Sequence, residues 1–370
     1  MRILLLGEYS NVHWTLAEGL RRLGHNVTVA SNGDFWKNYQ RDIDFARQPG
    51  KWGGIKLLAK IYASLPRFRN YDVVQLVNPI FFELKAERLF PIYRYLRRYN
   101  KKIVLGAMGM DWYWVYTCTH EKPLRYSDFN FGNELRTDAP ALKEQTDWLG
   151  TAKEQLNKLI AADCDGIISV LYEYQVCYEP HFPRKTRYIP LPIKTMDTPI
   201  TITHQPPLKL FIGISRQRSA YKGTDVMLRA AKDIVNKYPN RVELRQVEGV
   251  PFAQYQYMMD GSDAILDQLY SYTPSMNPLL AMSKGIICIG GGEPENYEIL
   301  GEKQLRPIIN VEPNYESVFH ALEQLVLHPE RIDELKRQSV EYVQRYHDYM
   351  KVARQYEQFY QSLLAQNQKH

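Results

Sequence analysis

The chain has 370 residues, of which 45% are hydrophobic and 24% are charged. This length favours two domains, and the composition is ordinary for a globular enzyme. No run of about 18 apolar residues occurs, so the sequence predicts no transmembrane helix. The cysteines and histidines lack metal-ligand spacing, which argues against a structural metal. The cysteines are also widely separated, which argues against a disulfide framework; they are Cys118, Cys164, Cys177 and Cys288.

Positive charge is concentrated in the first half of the chain. Residues 1–200 carry 28 Lys and Arg against 21 Asp and Glu, whereas the remainder carries 19 against 20. Segment 37–102 alone has 15 basic and 5 acidic side chains. A basic face of this kind indicates an anionic partner. Because no recognised nucleic-acid-binding motif is present, we favour a membrane surface and expect no nucleic-acid partner.

The N-terminal segment predicts a buried first strand, Met1–Leu6, then a turn at Gly7–Asn11 and a helix at Trp14–Leu23 with apolar residues at helical spacing. The apolar run is too short for a signal peptide and no small-residue cleavage site follows it. We therefore expect a cytoplasmic protein, with peripheral contact at the inner face of the membrane as an added expectation.

The alternation of strands and helices continues to about residue 190. Apolar strands are predicted near residues 26–30, 73–77, 102–106, 166–170 and 187–190, with helices near 83–98 and 141–162. Strands that are apolar throughout and alternate with helices indicate a parallel sheet covered on both faces.

A proline-rich stretch then interrupts the pattern, since residues 190–207 hold five prolines. A second alternation of strands and helices follows. Its strands are predicted near residues 208–213, 242–247, 263–267, 285–289 and 307–311. Its helices are predicted near 224–237, 276–283 and 315–327, and a helical tail covers 330–365. The fold class is α/β, with two Rossmann-like doubly wound domains facing a cleft. The expected boundaries are an N-terminal Rossmann-like domain at 1–195, a linker at 196–207, a C-terminal Rossmann-like domain at 208–345 and a C-terminal helix at 346–370.

The first glycine turn reads GEYSN rather than GxGxxG, which argues against NAD at this position. It still joins a strand to a helix, and helix N-termini attract anions. We expect Glu8, Tyr9, Asn11 and His13 at the mouth of the cleft. His13 is a candidate catalytic residue, and a plain structural turn is the alternative.

The corresponding turn of the second domain, GISRQRSAYKG, carries more cations. Gly213 ends a strand, and Arg216 and Lys222 lie before the next helix. A diphosphate needs cations and backbone N–H groups around it, because its charge is costly to bury unpaired. A solvated basic loop is the alternative interpretation.

These residues resemble the donor-domain opening of family 4 GT-B glycosyltransferases, and the segments DAILD, LLAMSKG and GGEPE resemble later motifs of that family in the same order. The resemblance implies that Arg216 and Lys222 hold the diphosphate of a nucleotide sugar, which is substrate rather than cofactor. It also implies transfer to a carbohydrate or lipid-linked acceptor hydroxyl in the synthesis of cell-surface polysaccharide or glycolipid. By the same resemblance, domain 1–195 binds the acceptor, domain 208–345 binds the nucleotide sugar, and the C-terminal helix at 346–370 returns to the first domain. Retention of configuration and independence from metal are further implications.

The chain departs from the family at the paired glutamates that contact the donor sugar and the ribose. Leu280 stands at the second position and Tyr272 at the first. The sequence therefore indicates a variant subgroup. Asn277, near a helix N-terminus, is a candidate for hydrogen bonding to the donor. Candidates for the contact with the ribose are Glu293, Glu295 and Glu298.

The segment GGGEPE is the most specific short motif. Glycines after an apolar strand allow a ligand to approach the backbone. We therefore include Gly291, Gly292, Glu293 and Glu295 among the donor-binding residues. A turn with exposed acidic side chains is the alternative.

In the first domain, Asp111 follows a predicted strand within GMDWYW and is a candidate base or acceptor-hydroxyl ligand. The aromatic residues Trp112, Tyr113 and Trp114 either stack on sugar rings or belong to the core. No His follows the strand at residues 73–77, where the family has one.

Segment 51–69 predicts an amphipathic helix whose apolar stripe comprises Ile55, Leu58, Ala59, Tyr62 and Leu65. Trp52 and the flanking cations suit the headgroup region of an anionic membrane. A helix packed on the sheet is the alternative.

We expect a glycosyltransferase. The rival interpretations are a sugar-nucleotide epimerase of the same fold and a non-catalytic glycosyltransferase-like binding subunit, which the absent glutamate pair favours.

Overall fold

A computed structural model describes residues 1–195, 202–214 and 219–366. The chain divides into two compact units. The first unit comprises residues 1–121, 144–192 and the C-terminal segment from 349, and the second comprises 122–143 and 193–348. Segment 122–143 thus leaves the first unit, belongs to the second, and returns. This excursion has no counterpart among the sequence expectations.

The strands are β1 (Arg2–Leu6), β2 (Asn26–Ser31), β3 (Ile43–Asp44), β4 (Val73–Leu76), β5 (Lys102–Ala107), β6 (Asn130–Phe131), β7 (Glu134–Leu135), β8 (Gly166–Ser169), β9 (Thr186–Tyr188), β10 (Leu208–Ile214), β11 (Val242–Glu248), β12 (Ala264–Leu266) and β13 (Ile287–Ile289). The helices are α1 (Val12–Arg22), α2 (Gly53–Ser64), α3 (Ala86–Tyr99), α4 (Trp112–Tyr116), α5 (Ala139–Trp148), α6 (Ala152–Asp163), α7 (Tyr172–Tyr178), α8 (Ser219–Lys222), α9 (Thr224–Lys237), α10 (Phe252–Met259), α11 (Met276–Ser283), α12 (Pro294–Leu300), α13 (Tyr315–Leu327), α14 (Ile332–Tyr342) and α15 (Tyr349–Ala365).

The first unit is built on a parallel sheet with the order β3-β2-β1-β4-β5-β8-β9. The strand order reverses between β1 and β4, so the turns that follow these two strands lie at the topological switch point. Strands β4, β5 and β8 are buried along their whole length, as the apolar runs predict.

The second unit is built on a parallel sheet with the order β11-β10-β12-β13. Its switch point lies between β10 and β12. The strand predicted near 307–311 is reduced to a single bridge between Ile289 and Ile309. Pro307 has no N–H to donate, which limits the pairing that this segment can make.

The predicted helix at 141–162 is two helices, α5 and α6. Gly150 has a φ of +70°, which ends α5 in a conformation that favours glycine. The Thr151 hydroxyl then accepts from Lys153 N–H, and a Glu154 oxygen accepts from Gly150 N–H at 2.7 Å. This local capping starts a new helix.

The helical tail is also interrupted, because Asp348 separates a π-helical turn at Val343–His347 from α15. Helix α15 belongs to the first unit, which confirms the predicted return of the C-terminal helix. Its buried residues include Tyr349, Val352 and Tyr356, so the aromatic stripe of the tail is a packing face.

Helix α2 packs through a different face from the predicted stripe. Leu57 and Ile61 are buried, whereas Trp52, Ile55 and Tyr62 are 69%, 59% and 45% exposed. The predicted stripe therefore faces solvent over most of its length. None of the helices in the described parts of the chain has the length and hydropathy needed to cross a membrane.

Helices α1 and α15 approach closely at Gly19. A Cβ atom at Gly19 would lie 2.7 Å from the Ala353 Cβ and 2.8 Å from the Tyr349 carbonyl oxygen. These distances are too short for a side chain, so the contact requires glycine at this position.

We expect Gly19→Ala to destabilise the chain by about 1–3 kcal/mol, because overpacking outweighs the gain of about 1 kcal/mol in helix propensity. Gly54→Ala, also in a helix, is the matched control. The nearest atom to a Cβ there is an Arg47 nitrogen at 3.6 Å. The control should be neutral or stabilising. Denaturant unfolding measures the free energy of unfolding of both variants. Equal stability of the two variants would contradict the packing account.

Candidate functional site

The loops that follow β10, β12 and β13 converge at the carboxyl edge of the second sheet. Leu269 N–H donates to the Lys222 carbonyl at 2.9 Å, and Glu293 N–H donates to the Tyr272 carbonyl at 3.2 Å. The loop after β12 is therefore bonded to the Lys222 turn on one side and to the glycine-rich loop on the other. The predicted donor-binding residues that are described lie on these loops or at the ends of the strands and helices that the loops join.

Lys222 ends α8, and Gly223 (φ +72°) begins α9 in a conformation that favours glycine. Burial raises the pKa of Asp267, whereas the positive charge of Lys222 and a bond from Asn277 oppose that rise. The positive charge of Lys222 thus acts on the Asp267 carboxyl. The predicted Arg216 lies in segment 215–218, outside the described residues.

Asn277 lies in the first turn of α11. Its side-chain amide donates to the Tyr255 hydroxyl at 3.0 Å and to Asp267 Oδ1 at 3.3 Å. A Cβ at Gly213 would lie 2.5 Å from the Tyr255 ring. Gly213, Tyr255, Asn277 and Asp267 therefore form one packed corner between β10 and β12.

The glycines of the GGGEPE loop allow close packing within the protein. At Gly290 a Cβ would meet the Gln268 carbonyl at 2.7 Å, and at Gly291 the Ser271 carbonyl at 2.6 Å. At Gly292 a Cβ would lie 2.6 Å from the Ile308 side chain. The loop after β13 therefore lies directly against the loop after β12.

The carboxylates of this loop bind Arg125 of the excursion. Arg125 donates to Glu295 Oε1 at 2.5 Å and to Glu293 Oε2 at 2.6 Å. Burial raises the pKa of the Glu295 carboxyl, but the bond from Arg125 to Glu295 outweighs this effect and the net shift is downward. Glu293 is 5% exposed. The Tyr126 hydroxyl donates to its other oxygen, so both oxygens of Glu293 have partners.

Tyr272, which stands where the family has its first glutamate, also holds the excursion. Its hydroxyl accepts from the Arg125 backbone N–H at 2.7 Å, and its ring lies 4.8 Å from that of Tyr126. Leu280, at the second glutamate position, packs against the hydrophobic core of this unit.

Arg136 fixes the other end of the excursion. It is 6% exposed, and its guanidinium donates to the carbonyls of Ala220 at 3.1 Å and Tyr221 at 3.2 Å. The guanidinium also lies 4.3 Å from the centre of the Tyr270 ring. Arg136 therefore binds the residues that immediately precede Lys222. Sequence reasoning missed both arginines, because nothing local links them to loops more than 80 positions away.

In the first unit, His13 is fully buried within a hydrogen-bonded chain. Its Nδ1 lies 2.8 Å from the Gly7 carbonyl, and its Nε2 lies 3.0 Å from the Gln75 amide nitrogen. Tyr360 donates to Gln75 Oε1 at 2.6 Å. Because a carbonyl only accepts, Nδ1 carries the proton and Nε2 accepts from Gln75. Burial lowers the pKa of His13 to about 4.

Glu8 caps α1 beside His13. Its two oxygens accept from the backbone N–H groups of His13 and Trp14 at 3.1 and 2.9 Å. Burial raises the pKa of the Glu8 carboxyl to about 8, although these two bonds oppose the rise.

Asp111 is fully buried at the N-terminus of α4. One carboxylate oxygen accepts from Trp114 N–H at 2.9 Å and the other accepts from the Tyr178 hydroxyl at 2.6 Å. Burial raises the pKa of the Asp111 carboxyl to about 6, against the effect of both bonds. The side chain thus serves as a helix cap in this conformation.

The neighbouring aromatic residues are at most 7% exposed. Trp112 stacks on Tyr116 with ring centres 4.6 Å apart, and Tyr113 packs on Tyr178 at the same separation. Trp114 packs against Tyr174. Their contacts are those of core residues. Within the described ranges, no group of three or more His, Cys, Asp or Glu side chains is placed to hold a metal ion.

The sequence matches no protein-family model, and a search of curated proteins finds no match. Solved structures do match over nearly the whole chain. Sucrose-phosphate synthase from Thermosynechococcus elongatus is 14% identical with a TM-score of 0.61, and 99% of each chain is covered. HepE from Anabaena, solved with UDP-glucose, is 13% identical with a TM-score of 0.59, covering 98% of this chain and all of that one.

The chain has the GT-B fold. A putative UDP-N-acetylglucosamine 2-epimerase from Listeria monocytogenes is also similar, at 10% identity and a TM-score of 0.51, with 95% of this chain and 93% of that chain covered. Glycosyltransferases and epimerases thus share this GT-B architecture, and identities this low show the fold alone.

We expect the His13 imidazole to stay neutral down to about pH 4, because charging it would place an unpaired charge in the interior and also break the bond that it accepts from Gln75. The folded pKa lies below the ordinary value of 6.5, so the unfolded chain takes up a proton first as the pH falls. The contribution of His13 to the free energy of unfolding therefore decreases by roughly 3 kcal/mol between about pH 6.5 and 4. NMR titration of the His13 ring tests this, and protonation of the folded protein near pH 6.5 would contradict it.

Proposed function

We propose that the protein is a glycosyltransferase that uses a nucleotide diphosphate sugar, most specifically a UDP-sugar. The observation that carries the proposal is Lys222, whose carbonyl accepts from Leu269 N–H of the loop after β12 and which stands immediately before the N-terminus of α9, at the switch point of the second sheet. A lysine and the free N–H groups of a helix N-terminus together suit an anionic diphosphate. The choice of uridine is supported by HepE, a structural neighbour solved with UDP-glucose.

In this proposal Lys222 and Arg216 stabilise the charge that develops on the leaving diphosphate. Asp267 and Asn277 supply polar groups for the donor beside that lysine. We assign Asp111 and His13 to positioning, because the side chain of each is fully engaged in hydrogen bonds within the first unit. Retention of configuration and independence from metal remain part of the proposal through the family resemblance alone.

An epimerase is the second candidate, because solved structures of UDP-N-acetylglucosamine 2-epimerases share the fold. The two activities differ in their need for an acceptor. Incubating the protein with UDP-N-acetylglucosamine without acceptor and following the sugar by NMR separates them. Appearance of the 2-epimer would favour the epimerase, whereas an unchanged sugar that is transferred after an acceptor is added favours the transferase.

We expect UDP to bind the unaltered chain and Lys222→Ala to weaken that binding about tenfold or more. Loss of a charge-assisted bond to phosphate costs roughly 1.5–3 kcal/mol. Isothermal titration calorimetry with UDP, GDP, ADP and CMP measures the affinities and identifies the base. Lys237→Ala, which removes an exposed lysine paired with Glu323, is the matched control and should bind normally. Equal affinity of the two variants would place the diphosphate elsewhere.

We further propose that the acceptor is lipid-linked and that the exposed face of α2 lies on an anionic membrane. Trp52, Ile55 and Tyr62 project from this face, and Lys56 and Lys60 are also exposed beside them. An aromatic and apolar face flanked by lysines is typical of helices that lie in the headgroup region. A membrane surface would bring a lipid-linked acceptor to the first unit.

We expect the chain to sediment with vesicles of phosphatidylcholine and phosphatidylglycerol but not with phosphatidylcholine alone. Each lysine near an anionic surface contributes about 1 kcal/mol, so Lys56→Gln/Lys60→Gln should weaken binding by more than tenfold. Lys237→Gln/Lys284→Gln in the second unit is the charge-matched control. Equal sedimentation of both double variants would contradict the role of α2.

A further inference from the structure

The excursion, residues 122–143, contacts the loops of the candidate site at two places. Arg136 binds the carbonyls that precede Lys222, and Arg125 binds the carboxylates of Glu293 and Glu295. Between these anchors the excursion covers the loop after β12, where the Phe131 ring packs on Tyr270 at 5.2 Å. One short segment therefore spans the loops that the family resemblance associates with the donor.

We propose that this segment is a clamp on the nucleotide-sugar site, and that Arg125 and Arg136 are positioning residues for donor binding. The inference rests on the proposed function, because it assigns a role to the clamp only in relation to that donor. Neither arginine needs to touch the donor, since each acts through the loop that it binds.

Arg136 acts on the Lys222 turn. Helix α8 is a single turn, so its last carbonyls lack helical partners of their own. The buried guanidinium supplies donors to two of these carbonyls, and Asp138 holds the guanidinium through a bond of 2.9 Å from Nε. This arrangement fixes the backbone from which the Lys222 side chain extends.

Arg125 acts on the charge of the glycine-rich loop. Two carboxylates separated by one residue would repel a diphosphate if they carried no counter-charge. Arg125 binds both, and its guanidinium lies 4.9 Å from the centre of the Tyr272 ring. The segment thus reduces the negative charge of the site before the donor arrives.

The arrangement also implies reciprocal coupling. If the clamp strengthens donor binding, the donor must strengthen attachment of the clamp by the same factor. The Arg125 side chain is 55% exposed, so trypsin can reach this residue once the segment detaches. We expect UDP to slow tryptic cleavage after Arg125 at least fivefold, as a typical coupling free energy would give.

The deciding experiment is calorimetric titration of UDP into the full chain and its variants. We expect Arg125→Gln and Arg136→Gln each to raise the Kd about tenfold, within the usual range of coupling between sites. Arg125→Lys should restore the affinity only in part, because lysine lacks the planar fork that binds both carboxylates. Adding Glu295→Gln to Arg125→Gln should recover part of the loss, which a general loss of folding would not allow.

Arg345→Gln is the matched control, since Arg345 pairs with Glu302 and Glu341 in the same unit and should leave the Kd unchanged. If the buried Arg136 variant fails to fold, the half-exposed Arg125 variants decide the question. Normal UDP affinity in folded Arg125→Gln would overturn the clamp alone. Absence of UDP binding by the unaltered chain would overturn the proposed function, and the clamp with it.

Discussion

The ion pair between Arg125 and the buried carboxylate of Glu293 is the constraint on which the candidate site depends. A carboxylate that is 5% exposed must have a charged or hydrogen-bonding partner, because an unpaired buried charge is strongly destabilising. That partner comes from a segment more than 160 positions earlier in the chain. The ion pair therefore ties the loop after β13 to the excursion, and Tyr272 of the loop after β12 bonds to both.

Much of the architecture could be predicted because it follows from local pattern. Buried parallel strands such as β4 and β5 are largely apolar runs, and glycines mark the turns after β1 and β13. That alternation also places the Lys222 turn between the first strand and the next long helix of the second domain, whereas the switch point there depends on the strand order. The aromatic stripe of the C-terminal helix predicted that it packs against the protein, and the family resemblance predicted its return to the first unit.

The rest could not be predicted because it depends on contacts between distant residues. The excursion has strands of two residues and no periodicity, so Arg125 and Arg136 look like surface cations in sequence. The same limit applies to Asp111 and His13, whose burial and capping bonds appear only in three dimensions. The division of α5 from α6 did have a signal, since Gly150, Thr151 and Glu154 form a capping pattern.

The measurement that tests the central claim most directly is an amide hydrogen-exchange map of the full chain with and without UDP. Exchange reports local stability, and a bound ligand protects the backbone that it contacts or orders. The account predicts protection in the turns after β10, β12 and β13, including residues 219–224, 267–277 and 290–296. Protection confined to the first unit would contradict the placement of the nucleotide-sugar site in the second.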